Sequence, residues 1–98
     1  MIKNDFALLR DRMCNILGIS EEDFLHDRHY PTPYARAIVA DYLYNLGYRW
    51  QQIGKVMNKT HATMIIMCKR LHEIKDLKEC RQIKLMYEKF YQEEYDRD

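Results

Sequence analysis

Residues that form tight turns are scarce in this chain. Its 98 residues include only three glycines and two prolines, whereas a fold of many short strands needs such residues at most chain reversals. Apolar residues instead recur three and four positions apart, which is the spacing of one helix face. The chain is 47% hydrophobic and 32% charged, as in folded rather than disordered domains. We therefore expect an all-α fold and a single domain over residues 1–98.

Short polar residues before apolar stretches and glycines after them predict where helices begin and end. The predicted N-terminal caps are Asn4, Ser20, Thr32 (followed by Pro33) and Thr60, and the predicted ends are Gly18 and Gly47. The predicted helices cover residues 4–17, 20–25, 32–46, 50–57, 60–75 and 77–95. Their predicted inward faces include Ile38, Val39, Tyr42, Leu43 and Leu46; Ile53 and Met57; Met64, Met67, Cys68, Leu71 and Ile74; and Cys80, Ile83, Tyr87, Phe90 and Tyr91.

Catalytic and metal-binding patterns are missing from the sequence. The cysteines Cys14, Cys68 and Cys80 are odd in number and widely spaced, so we expect reduced thiols. Cys68 and His72 have the spacing of two zinc ligands, but no second ligand pair lies nearby in sequence. No Ser-His-Asp arrangement and no paired carboxylates have motif support. We therefore expect no metal, no cofactor and no enzymatic activity.

The sequence shows no sign of a membrane segment. No apolar run approaches the roughly 18 residues that span a bilayer. Charged residues occupy the N-terminal stretch in which a signal peptide would be apolar. These features predict a cytoplasmic protein without a membrane partner.

Charge is distributed unevenly along a nearly neutral chain. The formal net charge is only +1, yet residues 42–72 contain no acid. Acids cluster instead at residues 21–23 and in the tail, at Glu93, Glu94, Asp96 and Asp98. A local cationic face on a neutral protein is typical of a surface that binds polyanions. The basic residues of the acid-free segment are Arg49, Lys55, Lys59, Lys69 and Arg70.

The predicted fourth and fifth helices have the outline of a helix-turn-helix, at about residues 50–75. The second helix of such a motif enters the DNA major groove by its N-terminal end. This requires short polar side chains, which the segment 59–63 (KTHAT) supplies. Lys59 and the free N–H groups at the helix start are suited to phosphates. His61 can hydrogen-bond a base, while Ala62 and the Thr63 methyl are suited to thymine methyl groups.

From about Leu9 to Ile74, the sequence resembles the C-terminal DNA-binding domain of the bacterial chromosomal replication initiator DnaA. The matching segments are residues 33–40 (PYARAIVA), 50–54 (WQQIG), 59–63 (KTHAT) and 68–70 (CKR). The resemblance implies a Trp-repressor-like helix-turn-helix, here with an extra C-terminal helix at 77–95. It also implies that Arg36 contacts a phosphate.

The chain departs from that family at three positions of the DNA-contacting region. Thr60 replaces an Asp, Ala62 replaces a Ser or Thr, and Tyr34 stands where the family has an Arg that enters the minor groove. The family's target sequence is therefore not expected here. The only Gly-Lys pair, Gly54-Lys55, lacks the rest of a phosphate-binding ATPase loop. The resemblance covers the DNA-binding unit alone.

These observations predict a sequence-specific binder of double-stranded DNA that acts in bacterial replication or transcription and is associated with the nucleoid. The predicted phosphate contacts are Arg36, Arg49, Lys55, Lys59 and Lys69, and the predicted base contacts are Thr60, His61, Ala62 and Thr63. The alternative is an interaction module, in which residues 77–95 use their aromatic stripe or exposed acids to bind a protein partner or a second copy.

Overall fold

The protein is all-α over residues 1–96, which are the residues that a computed structural model describes. None of these residues forms a strand. The predicted fold class is therefore confirmed at this level. Asp98 of the acidic tail lies outside the described residues. The helices are α1 (Ile2–Leu17), α2 (Glu21–His26), α3 (Thr32–Asn45), α4 (Trp50–Met57), α5 (His61–Ile74) and α6 (Arg81–Asp96), with a short 3-10 helix (Lys78–Cys80) before α6.

Side-chain caps form where two of the short polar residues predicted them. The Ser20 hydroxyl accepts a hydrogen bond from the Asp23 N–H at 3.1 Å, at the start of α2. The Thr60 hydroxyl accepts one from the Thr63 N–H at 3.2 Å, at the start of α5. Each cap pairs one of the N–H groups that a helix start leaves free. Gly18 also ends α1 as predicted, in the left-handed conformation with φ of 67°.

The other two predicted caps are wrong. Asn4 lies inside α1, which begins two residues earlier at Ile2. Thr32 is already part of α3, and its hydroxyl donates to Asp27 Oδ2 at 3.1 Å. The Thr32 side chain therefore fixes the loop between α2 and α3 instead of capping a helix.

Helix α3 lies at the centre of the molecule and contacts each of the other five α-helices. Three alanines on it, Ala35, Ala37 and Ala40, are fully buried, and their small side chains let neighbouring helices approach closely. One predicted inward residue is wrong, because Leu46 is 53% exposed just beyond the end of α3. The largest fully buried side chains include Phe24, Ile38, Leu43, Ile53, Leu71 and Phe90.

Helix α6 packs against α1 and α3 and completes the core. Ile83 and Phe90 are fully buried as predicted, and Met86, which was not predicted, is buried with them. Tyr87 and Tyr91 are partly buried against the same core. The aromatic stripe of residues 77–95 therefore covers the protein's own interior. A partner that binds α6 would have to use its opposite, mainly charged face.

A half-buried polar cluster joins α3, α5 and α6. The buried Asp41 carboxylate accepts a hydrogen bond from the Tyr91 hydroxyl at 2.7 Å. Its other oxygen lies 2.8 Å from Nε2 of His72. Burial, and next the hydrogen bond to Asp41, raise the pKa of Tyr91 above its ordinary value. The Tyr91 hydroxyl therefore stays protonated, and Asp41 of α3 links Tyr91 of α6 to His72 of α5.

Candidate nucleic-acid interface

A tight turn of three residues, 58–60, joins α4 to α5, in agreement with the predicted connection. Asn58 adopts the left-handed conformation with φ of 56°, which asparagine tolerates better than most residues. The Lys59 N–H then donates to the Gly54 carbonyl at 2.8 Å. The turn thus uses the free carbonyls at the end of α4 and places Thr60 at the start of the next helix.

Gly54 allows the two helices to approach each other at this turn. A Cβ atom at this position would lie 2.6 Å from the Lys59 carbonyl oxygen and 3.1 Å from the His61 backbone nitrogen. Both neighbours are backbone atoms, which cannot rotate away as a side chain can. The start of α5 is therefore set against α4 by backbone packing that only glycine permits.

The N-terminal end of α5 faces solvent. Thr60, His61, Ala62 and Thr63 are exposed, and Lys59 is half-buried. The hydroxyls of Thr60 and Thr63 lie 2.7 Å apart, so the cap also orders the Thr63 side chain. Among the described residues, no ion pair joins Lys59 to a carboxylate. The segment 59–63 is thus accessible and free of neutralising acids, as binding to a polyanion requires.

The remaining predicted cations of this region are also accessible. Arg49, Lys55, Lys69 and Arg70 are exposed, and none takes part in an ion pair among residues 1–94, whose side chains the structure describes. Arg49 precedes α4, and its N–H donates to the Gln52 side chain at 3.0 Å. The structure therefore leaves these four cations available to an anionic partner.

Arg36 is the exception among the predicted phosphate contacts. Its side chain is buried, and Nη1 donates to the carbonyls of Phe24 at 2.8 Å and Asp27 at 2.9 Å. Burial lowers the pKa of the guanidinium, and the charge of Asp27 opposes this effect. Both carbonyls belong to the end of α2 and its loop, so Arg36 fastens α2 to α3. The prediction of a phosphate contact at Arg36 is therefore wrong.

Two exposed isoleucines on α5 were missed by the sequence prediction. Ile65 is 40% exposed and Ile66 is 60% exposed, and the two are adjacent in the second turn of the helix. The sequence did contain a signal for their exposure, because the predicted inward face of α5 was already complete without these two isoleucines. Met64, Cys68 and Leu71 of that stripe are indeed buried. Any apolar residue off the stripe had to point outward.

Cys68 and His72, which have the spacing of two zinc ligands, form hydrogen bonds to other groups of the protein. The Cys68 thiol donates to the Ala37 carbonyl at 3.3 Å, and His72 is bonded to Asp41. Burial, with a smaller contribution from Asp41, raises the pKa of Cys68 to about 12, so the thiol is protonated and a poor metal ligand. Within the described part of the chain, no three or more His, Cys, Asp or Glu residues form a group suited to a metal ion.

None of the described helices has both the length and the apolar character needed to cross a membrane.

Comparison with known proteins leaves the family of the chain open. No protein-family model, curated protein or solved structure matches the sequence. The likeness to the DnaA domain thus depends on the motif residues alone and stays a prediction.

Proposed function

We propose that this chain binds double-stranded DNA through α4, the turn at 58–60 and α5, with α5 as the recognition helix. In this proposal the three elements form a Trp-repressor-like helix-turn-helix similar to the DNA-binding domain of DnaA. One observation carries the proposal. The segment 59–63 is accessible, short and polar, and it starts a helix whose opposite side is buried. A recognition helix that enters the major groove by its N-terminal end requires this combination.

Phosphates would be held by charge and by backbone groups. Arg49, Lys55, Lys59 and Lys69 supply the cations, and their lack of carboxylate partners within residues 1–94 means that no ion pair there has to break. The start of α5 adds N–H groups and the positive end of the helix dipole. Together they position the protein on the duplex without reading its sequence.

Bases would be contacted by the first turn of α5. His61 is exposed and can donate to or accept from a base edge. Ala62 and the methyl group of Thr63 are suited to apolar contact with thymine. Thr60 supports this set, because its hydroxyl caps the helix and lies beside that of Thr63. Contacts of this kind give sequence preference, whereas the cations give affinity.

The resemblance also suggests a biological setting. A DNA-binding unit of this type would regulate bacterial replication or transcription by occupying sites on the nucleoid. It would bind as a small module with limited buried surface, so the affinity of one copy should be weak to moderate.

Duplex binding should depend on salt and on the start of α5. With four phosphates neutralised, the logarithm of the binding constant should fall with the logarithm of salt concentration at a slope of about −3.6. The double substitution Lys59→Ala and His61→Ala should abolish binding, because it removes a phosphate contact and a base contact together. Fluorescence anisotropy with a labelled duplex at several salt concentrations measures both effects.

The matched control places the same two substitutions elsewhere. His26 and Lys89 are exposed residues of α2 and α6, outside α4, the turn and α5, so the variant His26→Ala and Lys89→Ala should bind as the wild type does. Circular dichroism and thermal unfolding show whether each variant is folded. The proposal fails if the folded Lys59→Ala and His61→Ala variant binds duplex DNA as tightly as the control.

A further inference from the structure

We propose that the exposed face of α5 recognises thymine through its 5-methyl group, with Ile65 and Ile66 as the contacting side chains. This inference rests on the proposed function and specifies the base that the same site prefers. It extends the base contacts beyond the first turn, from residues 60–63 to the second turn of the helix.

The geometry of α5 places these isoleucines in line with the predicted base contacts. Residues four apart on a helix are neighbours on its surface, so Ile66 follows Ala62 and precedes Arg70 along one row. Ile65 similarly lies between His61 and Lys69 on the adjacent row. With a rise of about 1.5 Å per residue, Ile66 is about 7.5 Å along the axis from His61. A helix that enters the groove by its first turn brings its second turn close to the bases as well.

The chemistry of this face combines an apolar centre with cationic surroundings. Ile65 and Ile66 are substantially exposed, whereas Met64, Cys68 and Leu71 on the opposite side are buried. The second turn thus offers a duplex no hydrogen-bonding side chain on either row, only branched hydrocarbon. In the major groove, the hydrocarbon group that a base presents is the 5-methyl of thymine.

Charge identifies DNA rather than another protein as the occupant of this face. The isoleucines lie within the acid-free segment 42–72, and the next residue along each row is a cation, Lys69 or Arg70. Both cations are exposed and have no carboxylate partner among residues 1–94. An apolar strip that ends in free cations is complementary to a thymine-rich groove edged by phosphates.

Replacing thymine by uracil tests the contact without altering the protein. Uracil pairs with adenine as thymine does but lacks the 5-methyl group. The probes are the duplex most enriched from a randomised pool, or the unselected pool if none is enriched, made once with thymine and once with deoxyuridine. We expect the wild type to bind the uracil form more weakly, by about fourfold for each methyl group that an isoleucine would otherwise cover.

Two serine variants assign that weakening to the isoleucine face. In Ile66→Ser the ratio of the affinities for the thymine and uracil duplexes should fall. Any preference for thymine that is left would come from the contacts that this variant retains. In Leu85→Ser it should be unchanged, because Leu85 is a similarly exposed aliphatic residue, 53% exposed, on α6. Circular dichroism and thermal unfolding verify that both variants are folded.

The possible outcomes separate this inference from the proposed function. Equal affinity of the wild type for both duplex forms overturns the thymine contact and leaves DNA binding standing. No binding of either form at low salt overturns both. Self-association that Ile66→Ser removes, in the absence of any thymine preference, would assign the isoleucines to a protein contact and also overturn the inference.

Discussion

Two corners of this molecule each contain basic residues that the sequence predicted to hold phosphates, and they use those residues in opposite ways. At the α2–α3 corner, Arg36 is buried and donates to two backbone carbonyls. At the α4–α5 corner, Lys59 has no carboxylate partner among the described residues and lies beside an exposed helix start. The two corners differ in what donates hydrogen bonds to the free backbone carbonyls at the end of the first helix. At the α2–α3 corner the donor is the Arg36 side chain. At the α4–α5 corner the donor is the backbone of the turn itself, through the Lys59 N–H.

Substitution of Arg36 should produce the largest effect on stability. Arg36→Ala leaves the carbonyls of Phe24 and Asp27 without this donor, so the free energy of unfolding should fall by about 3 kcal/mol. Lys59→Ala should change it by less than about 0.5 kcal/mol, because the half-buried Lys59 has no carboxylate partner among residues 1–94 and its side chain contributes little to folding. Urea unfolding followed by circular dichroism measures both. Equal losses of unfolding free energy in Arg36→Ala and Lys59→Ala would contradict the proposed difference between the two corners.

Gly54→Ala should have the next largest effect, at the other corner. Its Cβ would lie 2.6 Å from the Lys59 carbonyl, and relief of that clash must shift the turn, at a cost of about 2 kcal/mol in unfolding free energy. Lys55→Ala, one residue away and exposed, is the matched control and should leave stability unchanged. Thermal unfolding compares the two variants. A Gly54→Ala protein as stable as the control would mean that the helices do not approach as closely as the structure shows.

Acid should affect the α2–α3 corner selectively. The His29 backbone N–H, followed by the His29 side chain, lowers the pKa of Asp27 below its ordinary value of 3.8. The folded state therefore favours the ionised carboxylate, and its contribution is present above pH 3.8 and lost as pH falls through the lower folded pKa. Asp27→Asn should be less stable than the wild type near neutral pH, and the difference should disappear in strong acid.

A matched exposed acid tests whether this behaviour belongs to Asp27. Glu88 lies exposed on α6 and forms no ion pair among residues 1–94, so Glu88→Gln should be about as stable as the wild type near neutral pH. Urea unfolding midpoints, measured from neutral to strongly acidic solution, provide the comparison. A constant difference between Asp27→Asn and the wild type across that range would contradict the assignment.

Local sequence signals predicted the parts of the fold that depend on local interactions. The bounds of α4 were predicted to the residue, and the caps at Ser20 and Thr60 formed as expected. Each of these features is decided by residues within one or two helical turns. The order of the helices and most of their inward faces followed for the same reason, since period and capping act over short distances.

What the sequence did not predict depends on contacts between distant segments. Arg36 meets carbonyls nine and twelve residues before it, and no local pattern marks them as partners. The Asp41 cluster is similar, because Asp41 bonds to side chains 31 and 50 residues further along. For the candidate interface, the accessible segment 59–63 followed from local spacing, whereas the burial of Arg36 away from it could be seen only in the folded chain.

Helix α5 packs against the protein on one side and is exposed on the other, and this has a consequence for how the protein can evolve. Cys68 and Leu71 are buried, and His72 is tied through Asp41 to α6, so the helix is held without help from its outward positions. Those positions can therefore accumulate mutations while the scaffold stays intact. Under the proposed function, descendants of this chain would diverge in DNA specificity through a few surface changes on a single helix.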